Sequence, residues 1–237
     1  MRTCLLMLLL VCALQLPLRA AHADSVRDLP LVEVPAAADG DMLALLISGD
    51  GGWASLDQQV SAELARRGIA VVGLSSLKYF WQSRTPEVAA RDVADVLHHY
   101  LSTWQRSRIA LIGYSRGADV MPFIVTRLPA DLRARLTSVS LLGLATGAQF
   151  EVSFAEWLHP APSIPVAPEL SRIDTVPVLC VYGEGEQDSL CPSLALSNVT
   201  RLKRGDGHHF GGDYRTLGQI VAEFSLRPLA HPHPPAA

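Results

Sequence analysis

The sequence predicts an α/β fold with a mostly parallel central sheet and helices on both of its faces. Three observations carry this prediction. Several strand-length segments are uninterrupted apolar runs: Met42 to Ser48 (MLALLIS), Ile69 to Leu74 (IAVVGL) and Arg108 to Tyr114 (RIALIGY). Strands that are apolar throughout are buried on both faces, which parallel sheets achieve by covering each face with helices. Segments of helical spacing alternate with these runs after an opening hairpin.

Taken in order, Leu31 to Val34 reads as a short strand, and Ala38-Asp39-Gly40-Asp41 as the turn that leads into the first long run. Leu56, Val60 and Leu64 share one face of a helix from Leu56 to Arg67, which Gly68 ends. Pro86 opens a long helix whose apolar positions are Val88, Val93, Val96, Leu97 and Leu101. Arg116 to Leu128 is a further helix. Val139 to Leu144 and Val176 to Tyr182 are apolar strands, Asn198 to Lys203 is a shorter one, and Tyr214 to Phe224 is a closing helix. Ala145 to Thr175 is irregular, rich in proline and aromatics, and reads as a cap or site wall. No internal repeat or linker divides the chain, so residues 24–237 form a single domain, with a Pro/His/Ala-rich tail at 228–237 that reads as disordered.

Composition narrows the class. The chain has 237 residues, 49% of them hydrophobic and 18% charged, enough apolar content for one sizeable core. Twenty basic against 23 acidic residues give a net charge of −3, which lacks the basic footprint of a nucleic-acid binder. At the N-terminus, Arg2, an apolar run from Leu5 to Leu16 and Ala21-His22-Ala23 make the pattern of a secretory signal peptide cleaved after Ala23. The predicted localisation is therefore extracytoplasmic, where disulfides persist.

Gly113-Tyr114-Ser115-Arg116-Gly117 fits G-x-S-x-G. It directly follows a buried strand and opens a helix, as a nucleophile elbow requires. Serine needs a base and an orienting acid, and in this topology the acid and then the histidine follow it along the chain. Gly183-Glu184-Gly185-Glu186-Gln187-Asp188-Ser189 and Gly205-Asp206-Gly207-His208-His209-Phe210 are loops after strands, where ligands bind in open α/β sheets. Asp188 is the first choice of acid, with Glu184 and Glu186 as alternatives. His208 is preferred as base, with His209 as the alternative. In Ser48-Gly49-Asp50-Gly51-Gly52-Trp53, a loop N–H, from Asp50 first and Gly51 next, is expected to join that of Arg116 in an oxyanion hole.

No G-K-[ST] accompanies the glycine-rich loop, which removes a nucleotide phosphate cradle, and no cofactor is expected. His98-His99 and His208-His209 are adjacent pairs without metal-ligand spacing, so no metal is expected. Trp53 and the cluster Lys78-Tyr79-Phe80-Trp81 lie after strands, and Trp53, Tyr79 and Trp81 are candidates to contact substrate, the competing reading of the cluster being core packing. Cys180 and Cys191 bracket the acid loop. A disulfide between them would contribute about 2–3 kcal/mol by loop entropy and hold the acid in register, the alternative being two unpaired thiols.

Five segments, SGDGGW (48–53), KYFW…TPE (78–87), GYSRGAD (113–119), YGEGEQDSLCP (182–192) and GDGHHFGGDY (205–214), together resemble the bacterial VirJ family, which includes the C-terminal part of AcvB. The resemblance spans nearly all of the chain beyond the signal segment. It implies a periplasmic protein of the α/β-hydrolase fold, linked to type IV secretion, virulence and hydrolysis of the aminoacyl ester of lysyl-phosphatidylglycerol. It carries the triad onto Ser115, Asp188 and one of the His208/His209 pair. The expected partner is a small-molecule or lipid-headgroup ester, met by peripheral membrane contact, with the substrate ammonium facing Asp50, Glu184 or Glu186. Secretion-system proteins are further expected partners. The alternative is a non-catalytic periplasmic adaptor for secretion substrates or components.

Overall fold

In the computed structural model the described residues are 26–152 and 163–228. The expected signal segment 1–23, residues 229–237 of the expected tail and residues 153–162 of the irregular stretch lie outside them.

Seven strands form one sheet in the order β1-β3-β2-β4-β5-β8-β9. They are β1 (Leu31–Val34), β2 (Met42–Ile47), β3 (Ile69–Leu74), β4 (Arg108–Tyr114), β5 (Leu136–Leu142), β8 (Val178–Glu184) and β9 (Val199–Asp206). A separate two-stranded pair, β6 (Gly147–Ala148) and β7 (Ile164–Pro165), lies in the stretch expected to form a wall. The longer helices are α1 (Ser55–Arg66), α2 (Pro86–Thr103), α3 (Arg116–Val125) and α4 (Tyr214–Leu226). All pairings within the large sheet are parallel except that of β1 with β3.

Burial on both faces follows from the alternation along β2. Leu43, Leu45 and Ile47 pack with residues of α2 and α3, whereas Met42, Ala44 and Leu46 pack with residues of α1 and α4. Each of these six side chains is fully buried or nearly so, which explains why the run shows no polar alternation.

Four expectations are corrected. The opening hairpin does not form: β2 is paired in parallel with β3 on one side and β4 on the other, so β1 pairs antiparallel with β3, Leu31 opposite Leu74. β5 begins at Leu136, because Thr137, Ser138 and Ser140 are buried with it, and the Thr137 hydroxyl donates to the Ile109 carbonyl (3.0 Å). Helix α3 stops at Val125. Beyond it, N–H bonds from Arg127 to Ile124 and from Leu128 to Val125 tighten the chain into i→i−3 turns. β8 starts at Val178, just after Pro177, which lacks an N–H for the ladder.

Asp57, in the first turn of α1, accepts the N–H of Ala54 (3.0 Å) while buried. Burial pushes its carboxyl from 3.8 up to about 6. A raised carboxyl makes the folded state hold its proton longer than the unfolded state does, so stability falls as pH rises from about 4 through 6. Asp57→Asn should therefore flatten the loss of thermal stability between pH 4 and pH 7 by about 2 kcal/mol. Thermal melts of both proteins across that range check this, and an unchanged slope would contradict it.

Candidate active site

Ser115 sits between β4 and α3 with φ +53° and ψ −122°, a strained conformation for a residue with a side chain. Its N–H donates to the Leu142 carbonyl of β5 (2.8 Å), and its own carbonyl accepts the N–H of Asp119 (3.0 Å). The glycine two residues on is dictated by contact. A Cβ on Gly117 would lie 2.1 Å from the Ile47 carbonyl oxygen at the end of β2. The elbow therefore presses α3 directly onto the central strands, with the positive N-terminal end of α3 beside Ser115.

The loop after β2 reaches the same place. A Cβ on Gly49 would approach the Ser115 Cβ to 3.2 Å. Two buried serines fix this loop. Ser76 Oγ donates to the Gly49 carbonyl (2.6 Å), while Ser48 Oγ accepts the Ser76 N–H (3.0 Å) and also donates to that carbonyl (3.3 Å). The Gly52 N–H closes a turn on the same oxygen (2.9 Å). From the other side, Arg116 Nε pairs with the Asp50 carboxylate, and its Nη1 donates to the carbonyls of Gln149 (3.2 Å) and Glu151 (2.7 Å). Asp50 and Arg116, the two expected oxyanion donors, are thus brought together through their side chains. Gly51, the alternative donor, lies in the same turn.

Of the two histidines, His208 Nδ1 lies 2.5 Å from Glu186 Oε1. The other carboxylate oxygen, Oε2, accepts the Gly183 N–H (3.0 Å). A neutral His208 that donates from Nδ1 to this carboxylate exposes Nε2 as its basic nitrogen. Its ring stacks on Tyr114, the residue before Ser115, with centroids 5.5 Å apart. His209 turns elsewhere: its Nδ1 lies 2.9 Å from the Tyr114 hydroxyl and 3.5 Å from that of Tyr214.

The carboxylate on His208 is that of Glu186, one of the alternatives, and not that of Asp188. The turn at Gly185 (φ +76°) swings Glu186 back under β8, where its side chain is only 10% exposed, and leaves Asp188 exposed to solvent. Gly183 makes this possible, since a Cβ there would lie 1.8 Å from the Gly207 carbonyl oxygen of the histidine loop. Glu184 points away, paired with Lys203 (3.0 Å) on the exposed sheet edge.

The aromatic candidates divide. Tyr79 is buried and its hydroxyl donates to Asp92 (2.6 Å), so it belongs to the core. Burial raises its ionisation well above the usual tyrosine range, with Asp92 acting in the same direction. Trp53 packs over Gly73 of β3, where a Cβ would lie 2.1 Å from its ring. Trp81 alone is open, at 65% exposure. Cys180 and Cys191 are joined in a disulfide across the acid loop.

Sequence reasoning passed over Ser76, Gly143, Tyr114 and Asp119. Gly143, just after β5, has φ +69°, and a Cβ there would lie 2.7 Å from His208 Cε1. Asp119 accepts the Ala145 N–H (2.8 Å). Only Tyr114 and Asp119 fall within a motif segment, and neither carried a role there.

Residues 41–227 match the model of a family described as bacterial virulence protein (VirJ). No curated protein matches the chain by sequence. Among solved structures, Est1E from Butyrivibrio proteoclasticus with ferulic acid bound is similar at 15% identity and TM-score 0.60, over 84% of this chain and 94% of that one. The enol-lactonase from Burkholderia xenovorans LB400 is similar at 13% identity and TM-score 0.61, over 83% and 95% of the two chains. The proline iminopeptidase of Mycobacterium smegmatis is similar at 13% identity and TM-score 0.52, over 82% and 93%. With the sheet order above, these likenesses show an α/β-hydrolase fold.

Proposed function

The chain belongs to the bacterial virulence protein (VirJ) family, and from that premise we propose that it is a periplasmic serine hydrolase acting on carboxyl esters. The observation that carries this reading is the 2.5 Å contact of His208 Nδ1 with Glu186, on loops that converge beside the elbow of Ser115. Ser115 Oγ attacks the ester carbonyl carbon while His208 Nε2 takes its proton. Glu186 holds the ring in the required tautomer and stabilises the imidazolium. The backbone N–H groups of Arg116 and Asp50 receive the oxyanion. His208 returns the proton to the leaving alcohol, and a second round with water in place of Ser115 frees the acid.

The disulfide supports an oxidising compartment. Within the class of carboxyl esters, the aminoacyl ester of lysyl-phosphatidylglycerol is the proposed substrate. Asp50, 60% exposed at the loop beside Ser115, offers the lysyl ammonium a carboxylate. Exposed Trp81, with Lys78 and Arg84 close to it in the chain, supports peripheral contact with an anionic bilayer.

The test is lysine release from vesicles of phosphatidylglycerol and lysyl-phosphatidylglycerol, with a small chromogenic ester and Ser115→Ala in parallel. Release that Ser115→Ala abolishes is expected. Hydrolysis of the small ester alone would overturn the lipid substrate. Full biological function of Ser115→Ala would favour the adaptor reading.

The mechanism also predicts that Gly143→Ala displaces His208, because the new methyl enters the space of the ring and the left-handed backbone resists a side chain. Ester kcat should fall by about 10²-fold, as for misplacement of a catalytic group by about 1 Å. Steady-state kinetics check this, and wild-type kcat in the folded variant would contradict it.

A further inference from the structure

Asp119 lies one helical turn beyond Ser115 and takes no part in the mechanism above. It is partly buried, and its Oδ1 accepts the N–H of Ala145 (2.8 Å), on the segment that leaves β5. That segment is short and crowded with contacts. Gly143 lies under the His208 ring, and its N–H donates to the Val181 carbonyl of β8 (2.8 Å). The Leu144 carbonyl accepts the N–H of Leu190 (2.9 Å), and Ala145 forms an antiparallel bridge with Ser189. Leu190 and Ser189 close the loop that begins at Gly185 and carries Glu186.

We infer that Asp119 is a positioning residue, pinning the Gly143–Ala145 turn, and with it the Glu186 loop and His208, to the helix that carries Ser115. The inference rests on the hydrolase reading for its kinetic consequence, though not for the geometry. The three catalytic groups come from loops after three different strands. The elbow fixes Ser115 to β5 through the Leu142 carbonyl. The acid loop is fixed to β8 by its own turn. Asp119 joins these two bodies by a side chain, at the turn against which His208 rests. A shift of that turn would move the base relative to the nucleophile, and errors of about 1 Å cost about 10²-fold in rate.

The charge on Asp119 is not what the role requires. Burial pushes its carboxyl from 3.8 up to about 7, with Asp50 and Glu186 acting in the same direction and the Ala145 N–H and Arg116 against it. Near neutral pH a share of the molecules hold it protonated, and a carbonyl oxygen still accepts from Ala145. Asparagine keeps such an oxygen, whereas leucine fills the same space without one.

The test compares Asp119→Asn, Asp119→Leu and wild type, with Asp119→Ala read in place of Leu if the larger side chain prevents folding. Two readouts are taken on folded protein. One is kcat and KM on a small chromogenic ester. The other is the downfield proton resonance of the His208 Nδ1–H bonded to Glu186, assigned by its loss in His208→Gln. Asp119→Leu should lower kcat by about 10- to 100-fold with KM within twofold, and broaden or remove the resonance, while Asp119→Asn keeps both near wild type. Wild-type kcat and an intact resonance in the Leu or Ala variant would overturn the inference. So would losses in Asn as large as those in Leu. A wild-type resonance that Leu removes, in a protein that hydrolyses no ester, would overturn the hydrolase reading and leave the positioning role standing.

Discussion

Ser115→Ala is expected to lower kcat for ester hydrolysis by about 10⁴- to 10⁶-fold while KM stays within about threefold. In the proposed mechanism the hydroxyl forms the acyl intermediate, whereas the loops around it do not depend on it. The Gly49 turn is fixed by Ser48 and Ser76, and the Arg116 guanidinium by Asp50, Gln149 and Glu151. His208→Ala should cost about as much, and the double variant no more than either single one, because nucleophile and base act as a unit. His209→Ala removes a partner of the Tyr114 hydroxyl and leaves the Glu186 contact in place, so its loss should be near tenfold or less. Steady-state kinetics of the four proteins decide this. Losses that multiply in the double variant would contradict a shared mechanism, and a larger loss from His209→Ala than from His208→Ala would reverse the assignment of the base.

Glu186→Gln should cost about 10³- to 10⁴-fold in kcat, and Asp188→Asn no more than about twofold. Glutamine preserves the shape of the side chain and a bond to the Gly183 N–H. It removes the charge that stabilises the imidazolium and no longer selects the tautomer with Nε2 free. Asp188 is two residues further on and exposed, so its loss leaves the His208 contact untouched. The pair of substitutions is measured against the same ester. A large loss from Asp188→Asn with an active Glu186→Gln would restore Asp188 as the orienting acid.

The parts of this molecule that sequence makes legible are those where one requirement governs a run of residues. β2, β3 and β4 must be apolar on both faces, so their extents are readable from Met42, Ile69 and Arg108 onward. The elbow needs a small residue where α3 meets the end of β2, and Gly117 announces it. The choice among Glu184, Glu186 and Asp188 is different in kind. Three carboxylates fall within five residues, and which one meets His208 depends on a turn at Gly185 and on the close approach of Gly183 to Gly207. Neither is visible until the two loops are side by side. Tyr79 and Trp81 show the same limit, since aromatics two positions apart give one buried residue bonded to Asp92 and one exposed to solvent. β1 passes over β2 to pair with β3 because both edges of β2 are already taken, a fact of the whole sheet. Gly143 and Ser76 matter through partners 65 and 27 positions away in the chain and belong to no local pattern.

The proposed function requires Ser115 to be an activated nucleophile oriented through His208 and Glu186. The most direct measurement is reaction of the folded protein with a fluorophosphonate, followed by mass mapping of the adduct. One phosphonyl group per chain is expected, on the peptide containing Ser115. Labelling should be absent in Ser115→Ala and slowed by about 10²-fold or more in Glu186→Gln. An adduct on another residue, or labelling at wild-type rate in Glu186→Gln, would contradict it.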